Sequence, residues 1–170
     1  GILALEIGGR IPVTEYDQLD VSGAATFGGT LEVSLVNGFV PAPGDSFHVV
    51  LYGSHTRAFA SLALPPLAAG LQWGIEYGAT ALTLYVKSAE FTIAASAGVG
   101  GQISPLGAST ILYGANAVYT ITPDSCYQVA DVLVDGASVG AVTEYTISGV
   151  QANHTIEATF VQIQYTITAS

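Results

Sequence analysis

The sequence predicts an all-β protein, and two observations carry that prediction. Apolar and small polar residues alternate along several segments, which is the period-two pattern of strands with one buried face. The alternation is clearest at 31–35, 81–86, 118–122 and 145–148. Turn signals such as Asn37-Gly38 and Asp135-Gly136 recur between these segments, too closely for helices of ordinary length. Residues 57–71 could hold one helical turn, which Pro65-Pro66 would cut short.

Composition narrows the class of protein. Of the 170 residues, 50% are apolar and 9% are charged, so the chain is too hydrophobic for intrinsic disorder and we expect it to fold. Three basic residues stand against 13 acidic ones, and the formal charge of -10 argues against a nucleic-acid binder. No stretch approaches the ~18 uninterrupted apolar residues of a membrane helix, so no membrane insertion is expected.

Charge also predicts a domain boundary. The three basic residues, Arg10, Arg57 and Lys87, all precede residue 88, and the rest of the chain contains six acidic residues and no Lys or Arg. We therefore predict a first domain at 1–88, either a β-sandwich or solenoid-like. A compact β-repeat domain is predicted at 89–161. An extra C-terminal strand is predicted at 162–170.

The C-terminal segment is a candidate assembly element. Gln164-Tyr165-Thr166-Ile167 repeats the pattern of Glu90-Phe91-Thr92-Ile93 at a spacing of 74 residues, as if a further repeat had begun. A lone strand there exposes Ile163, Tyr165 and Ile167, or its opposite face, together with a row of backbone donors and acceptors. The strand should therefore pair with something, and we interpret it as a donor strand for another copy.

The predicted second domain carries an extended set of β-repeat motifs. They are Phe91-Thr92-Ile93-Ala94-Ala95-Ser96, Gly101-Gln102-Ile103-Ser104-Pro105, Tyr119-Thr120-Ile121-Thr122-Pro123-Asp124, Val132-Leu133-Val134-Asp135-Gly136 and Asn153-His154-Thr155-Ile156. On these motifs, residues 89–161 resemble the divergent internalin B-type repeat of bacterial surface proteins. The resemblance implies a small all-β stalk, spacer or adhesive unit without an active site. Cys126 departs from it, because the family usually has Gly before Tyr127.

The predicted first domain has Gly-punctuated strands. Its characteristic segments are Tyr16-Asp17-Gln18-Leu19-Asp20-Val21, Gly29-Thr30-Leu31-Glu32-Val33 and Gly44-Asp45-Ser46-Phe47. It is similar to the region that follows or caps a β-solenoid in large secreted, autotransporter-like proteins. Both resemblances imply a structural role outside the cell. The low charge and the abundance of Thr, Ser, Gly and Ala agree with a secreted or surface-located bacterial protein. Since the chain begins at Gly1 without a signal peptide, we interpret it as a processed piece of a longer precursor.

Several residues are candidates for catalytic or metal-binding sites. Gly136-Ala137-Ser138-Val139-Gly140 fits the pattern of a hydrolase nucleophile elbow, but it follows a hairpin signal rather than opening a helix, so we interpret it as a chance match. His48 and His55 could in principle bind a metal, but a metal site needs three or four ligands and their seven-residue spacing offers no Cys or Asp partner, so we interpret them as ordinary strand or loop histidines. Six aspartates could supply oxygen ligands for calcium, though without an EF-hand spacing. They are Asp17, Asp20, Asp45, Asp124, Asp131 and Asp135.

Two further features each allow two interpretations. Trp73 and the nine tyrosines could form a stacking platform for surface glycans, or serve as half-buried strand residues. Cys126, the single cysteine, could be a buried thiol or form an intermolecular disulfide.

The expected function is structural rather than enzymatic, and no cofactor is expected beyond the candidate calcium. We expect a secreted subunit that binds further copies of itself head to tail by β-strand addition, forming a surface filament. The alternative is a non-polymerising spacer or adhesive module of a large surface adhesin, with surface glycans as its ligands.

Overall fold

The computed structural model describes residues 1–166, and its regular secondary structure is entirely β, with 61% strand and 0% helix. The all-β prediction is therefore confirmed. The possible helical turn at 57–71 is wrong, because Ser61–Ala63 forms a short strand that pairs with an earlier one. No helix within the described part of the chain has the length and apolarity to cross a membrane.

The chain divides into two compact units, Gly1–Ser88 and Ala89–Ser170, which we call unit 1 and unit 2. Unit 1 has seven strands, β1 to β7. In chain order they are Ile2–Ile7, Leu19–Thr26, Thr30–Leu35, Ser46–Thr56, Ser61–Ala63, Leu71–Tyr77 and Ala81–Ser88. One sheet is the parallel set β1-β3-β5, and the other has the order β2-β4-β7-β6.

The first five strands of unit 1 alternate between its two sheets, so that the chain coils as in a short solenoid. Leu3, Leu31 and Leu62 lie in register across β1, β3 and β5, and β2 is parallel to β4. The antiparallel pairs β4-β7 and β7-β6 close the second sheet. Because side chains alternate along β3, Leu31 and Val33 are buried while Glu32 is exposed. One apolar cluster, which includes residues of both sheets, forms the core.

Unit 2 has eight strands, β8 to β15. In chain order they are Glu90–Ala97, Gly101–Ser104, Gly107–Leu112, Ala117–Pro123, Tyr127–Val134, Ala137–Gly140, Glu144–Ile147 and His154–Gln162. The larger sheet has the order β10-β8-β15-β12-β13, and the smaller has the order β14-β11-β9. All its pairs are antiparallel except β8-β15.

The two sheets of unit 2 enclose a single apolar core. Ile93 and Ile156 come from the larger sheet, Tyr119 and Ile121 come from the smaller one, and all four are buried in one cluster. Alternation explains the arrangement, because Glu157 lies between the buried residues Ile156 and Ala158 and is exposed. Unit 2 is thus a small β-sandwich.

Candidate functional site

The segment that follows β15 leaves the sheet at a defined point. Gln162 pairs with Tyr127, and the Ile163 amide donates a hydrogen bond of 2.7 Å to the Cys126 carbonyl. The extra strand predicted from residue 162 therefore starts too early, since Gln162 still belongs to β15. Residues 164–166 are the described part of the donor segment and have no strand partner within residues 1–166. Ile167 lies outside the described residues.

Tyr165 is the most unusual side chain of this segment. It is 77% exposed, more than any other Phe, Tyr or Trp side chain in residues 1–166. The other aromatic rings of these residues are buried or half-buried. Residues 162–170 also carry no charged side chain, in a chain with a formal charge of -10. Of the three predicted interface residues, Ile163 is half-buried and Tyr165 is free for contact.

Cys126 forms the turn beside this exit point. Its φ of 66° lies in the left-handed region, which favours glycine. Its thiol is exposed, so the alternative of a buried thiol is wrong. The intermolecular disulfide stays a prediction.

The two histidines weighed as metal ligands are held in different surroundings. The Nδ1 atom of His48 lies 2.9 Å from the Thr83 hydroxyl. His55 packs among aromatic rings, its ring centre 5.3 Å from that of Tyr52 and 5.7 Å from that of Tyr77, and its buried Nδ1 has no hydrogen-bond partner among residues 1–166. Within residues 1–166, no three His, Cys, Asp or Glu side chains group as a metal site would require.

In unit 1, Asp45 binds a basic side chain rather than joining an acidic cluster. Arg10 Nε and Nη2 donate to its two carboxylate oxygens at 2.6 Å and 2.8 Å, and the Ala42 amide donates at 2.8 Å. Burial raises the pKa of Asp45, but the hydrogen bonds from Arg10 and Ala42 outweigh it, so the net pKa is lowered. The Arg10 guanidinium also lies 5.2 Å from the centre of the Phe39 ring.

A His-Asp pair in unit 2 was missed by the sequence analysis. His154 Nδ1 lies 2.6 Å from the Asp135 carboxylate, whose other oxygen accepts the Thr155 amide. These hydrogen bonds, chiefly the one with His154, lower the pKa of Asp135. The pair forms because the β12-β13 turn lies beside the start of β15. That proximity depends on strand pairing, which the spacing of 19 residues does not reveal.

The nucleophile-elbow pattern lies in the β12-β13 hairpin, and the next element of the chain is the strand β14 rather than a helix. The Ser138 hydroxyl donates a hydrogen bond of 2.7 Å to Asp131, which also accepts the amides of Val132 and Gly140. These contacts bridge the register shift between β12 and β13. The arrangement fits the interpretation of a chance match.

Trp73, the centre of the possible glycan platform, packs on the core of unit 1. Its Nε1 donates to the Pro65 carbonyl at 2.9 Å, and its ring lies 6.1 Å from that of Phe47. Half-burial thus describes Trp73 better than a free stacking surface.

Comparisons of the chain with family models, with curated proteins and with solved structures give no match in any of the three.

Proposed function

We propose that this protein is an extracellular structural subunit whose copies join by β-strand addition, with residues 164–170 as the added strand. One observation carries the proposal. Residues 162–170 carry no charged side chain, residues 164–166 have no strand partner within the described chain, and Tyr165 is exposed. The resemblance of both domains to bacterial surface proteins supports the extracellular setting.

Strand addition suits this segment for two physical reasons. The free backbone of an extended segment gains main-chain hydrogen bonds when it joins a sheet edge, and alternate side chains such as Tyr165 fix its register. The absence of charged side chains in 162–170 lets the segment approach a chain of formal charge -10 without repulsion. A contact between residues 164–170 of one copy and a different surface of the next is heterologous, so it propagates into a filament unless it closes into a ring.

The test compares assembly of the full chain with a deletion of residues 164–170. The deletion keeps Gln162 and Ile163, so that the bonds to Tyr127 and Cys126 survive. Negative-stain electron microscopy at moderate salt should show filaments for the full chain and folded monomers for the deletion. Tyr165→Phe is the matched control and should still assemble, whereas Tyr165→Asp should not. Filaments formed by the deletion variant would refute the proposal.

A second candidate, the non-polymerising spacer or adhesive module, is favoured by one observation in unit 1. An apolar cavity of about 330 Å³ is lined by residues of β1, β2 and β4 and of the neighbouring loops, among them Leu3, Leu19 and Phe27. A partner of an adhesive module could place an apolar group in this cavity. Under this candidate the full chain stays monomeric at high concentration, and a glycan-array screen then tests for adhesive binding.

A further inference from the structure

We propose that the acceptor for residues 164–170 is the outer edge of β10 in a second copy of the chain. The inference rests on the proposed function and adds the place of contact. Residues 164–170 would run antiparallel to β10 and would pair with it on the side opposite β8.

The hydrogen-bond pattern shows which backbone groups of β10 are free. The Tyr113 amide donates to the Ala89 carbonyl, and the antiparallel register continues as Ile111 with Phe91 and Ser109 with Ile93. Hydrogen-bonding direction alternates along such a strand, so Ser109 and Ile111 face β8. Ala108, Thr110 and Leu112 therefore direct their amides away from the sheet, and of their carbonyls that of Leu112 accepts the Ala115 amide at 3.0 Å.

β10 is also the edge with the least protection against strand addition. Its sequence, Gly-Ala-Ser-Thr-Ile-Leu, has no charge and no proline, the two features that commonly block an edge. The other edges of unit 2 are short, since β9, β13 and β14 have four residues each. In unit 1, β5 has three residues, β2 has a register shift and β6 carries Glu76.

The remaining edge, β1, is partly covered by its own loop. Thr30 donates to the Gly1 carbonyl and Val36 donates to the Ile7 carbonyl, so the odd-numbered residues of β1 face β3 and the even-numbered ones face outward. Asp17 occupies both outward groups of Glu6, because its carboxylate accepts the Glu6 amide and its own amide donates to the Glu6 carbonyl. Only Ile2 and Ala4 remain open there.

The side chains of the donor segment match β10 in one register. Phe91 lies opposite Ile111 on the β8 side, and Tyr165 takes the place of Phe91 in the repeated sequence. Placing Tyr165 opposite Ile111 on the outer side sets Thr166 opposite Thr110. Side chains directly opposite each other share a face, so the Tyr165 ring would extend the apolar layer to which Ile111 already contributes.

The experiment separates the acceptor from the donor. Thr110→Pro removes an outward amide that takes no part in the β8 ladder, and Thr110→Ala is the control that keeps it. Thr110→Lys is a second blocking variant that retains the amide and adds a charge opposite Thr166. We expect filaments from Thr110→Ala, none from Thr110→Pro, and an at least tenfold higher critical concentration for Thr110→Lys.

Mixing two non-assembling variants is the decisive experiment. The 164–170 deletion retains the acceptor and Thr110→Pro retains the donor, so each should be monomeric alone and the mixture should give a one-to-one dimer by light scattering. Filaments from both folded Thr110 blocking variants would overturn the β10 assignment and leave the proposed function standing. A full chain that never assembles would overturn both.

Discussion

Unit 1 and unit 2 bury comparable apolar cores but treat the ends of their sheets differently. In unit 1, the 8–17 loop returns to β1 and Asp17 bonds both free backbone groups of Glu6. In unit 2, the equivalent outer strand β10 pairs only with β8 and carries no charge. In the solenoid-like unit 1, a loop therefore covers part of the β1 edge, whereas the β10 edge of the sandwich stays available for a further strand.

The largest expected effect is the loss of stability caused by a substitution in the core of each unit. Phe47 is 0% exposed and contacts the rings of Tyr16, Phe39 and Trp73, so Phe47→Ala should lower the free energy of unfolding of unit 1 by about 3–5 kcal/mol. Trp73 is the single tryptophan and lies in unit 1, so its fluorescence during urea unfolding measures this loss. A loss below about 1 kcal/mol would contradict the assigned core.

The matched substitution in unit 2 is Ile156→Ala, which should cost about 2–5 kcal/mol for the same reason. This loss of stability should appear as faster hydrogen exchange of the β8 and β15 amides. Equal protection in the native and variant proteins would show that Ile156 is not a core residue.

Two buried tyrosines, one in each unit, should show a smaller difference in stability when each is replaced by phenylalanine. The Tyr52 hydroxyl donates to the Gly78 carbonyl at 2.9 Å, so Tyr52→Phe should lower stability by about 1 kcal/mol. The Tyr119 hydroxyl is buried, and no hydrogen bond of regular geometry reaches it within residues 1–166; burial raises its pKa, and the nearby Ser109 side chain offsets part of that rise. Tyr119→Phe should therefore be neutral or stabilising. Thermal unfolding of both variants checks this, and the reverse order would contradict the assigned contacts.

Backbone strain gives an effect of similar or smaller size. Val13 has a φ of 70° and Cys126 a φ of 66°, conformations that L-residues adopt at a cost. Glycine relieves that cost but gains entropy in the unfolded chain, so Val13→Gly and Cys126→Gly should each stabilise by about 0.5–1 kcal/mol. The gain should be larger at Val13, which is β-branched. Denaturant midpoints measure both, and a destabilised Val13→Gly would show that the valine side chain makes a compensating contact.

Acid titration gives the smallest effect. The pKa values of Asp45 and Asp135 are lowered in the folded state, so each carboxylate contributes stability above its unfolded pKa of about 3.9. That contribution is lost as the pH falls through the lowered folded pKa. Asp45→Asn and Asp135→Asn should thus destabilise at pH 7 and matter progressively less below about pH 4. Unfolding curves at pH 7 and pH 3 test the trend, and an equal loss at both pH values would contradict it.

The sequence predicted the strands better than their partners. The alternation at 31–35, 81–86 and 118–122 corresponds to β3, β7 and β11, because a buried face imposes period two on the residues themselves. β10 has few large apolar residues and gave no such signal. The contacts of Glu6 with Asp17 and of Asp135 with His154 join residues 11 and 19 positions apart through strand pairing. Such contacts follow from sheet order, which local sequence does not encode.

The most direct test of strand addition at β10 is amide hydrogen exchange as the protein concentration is raised. The account predicts that the Ala108, Thr110 and Leu112 amides become protected in the full chain and stay unprotected in the 164–170 deletion at the same concentration. Filaments that form while these three amides still exchange as in the monomer would contradict it.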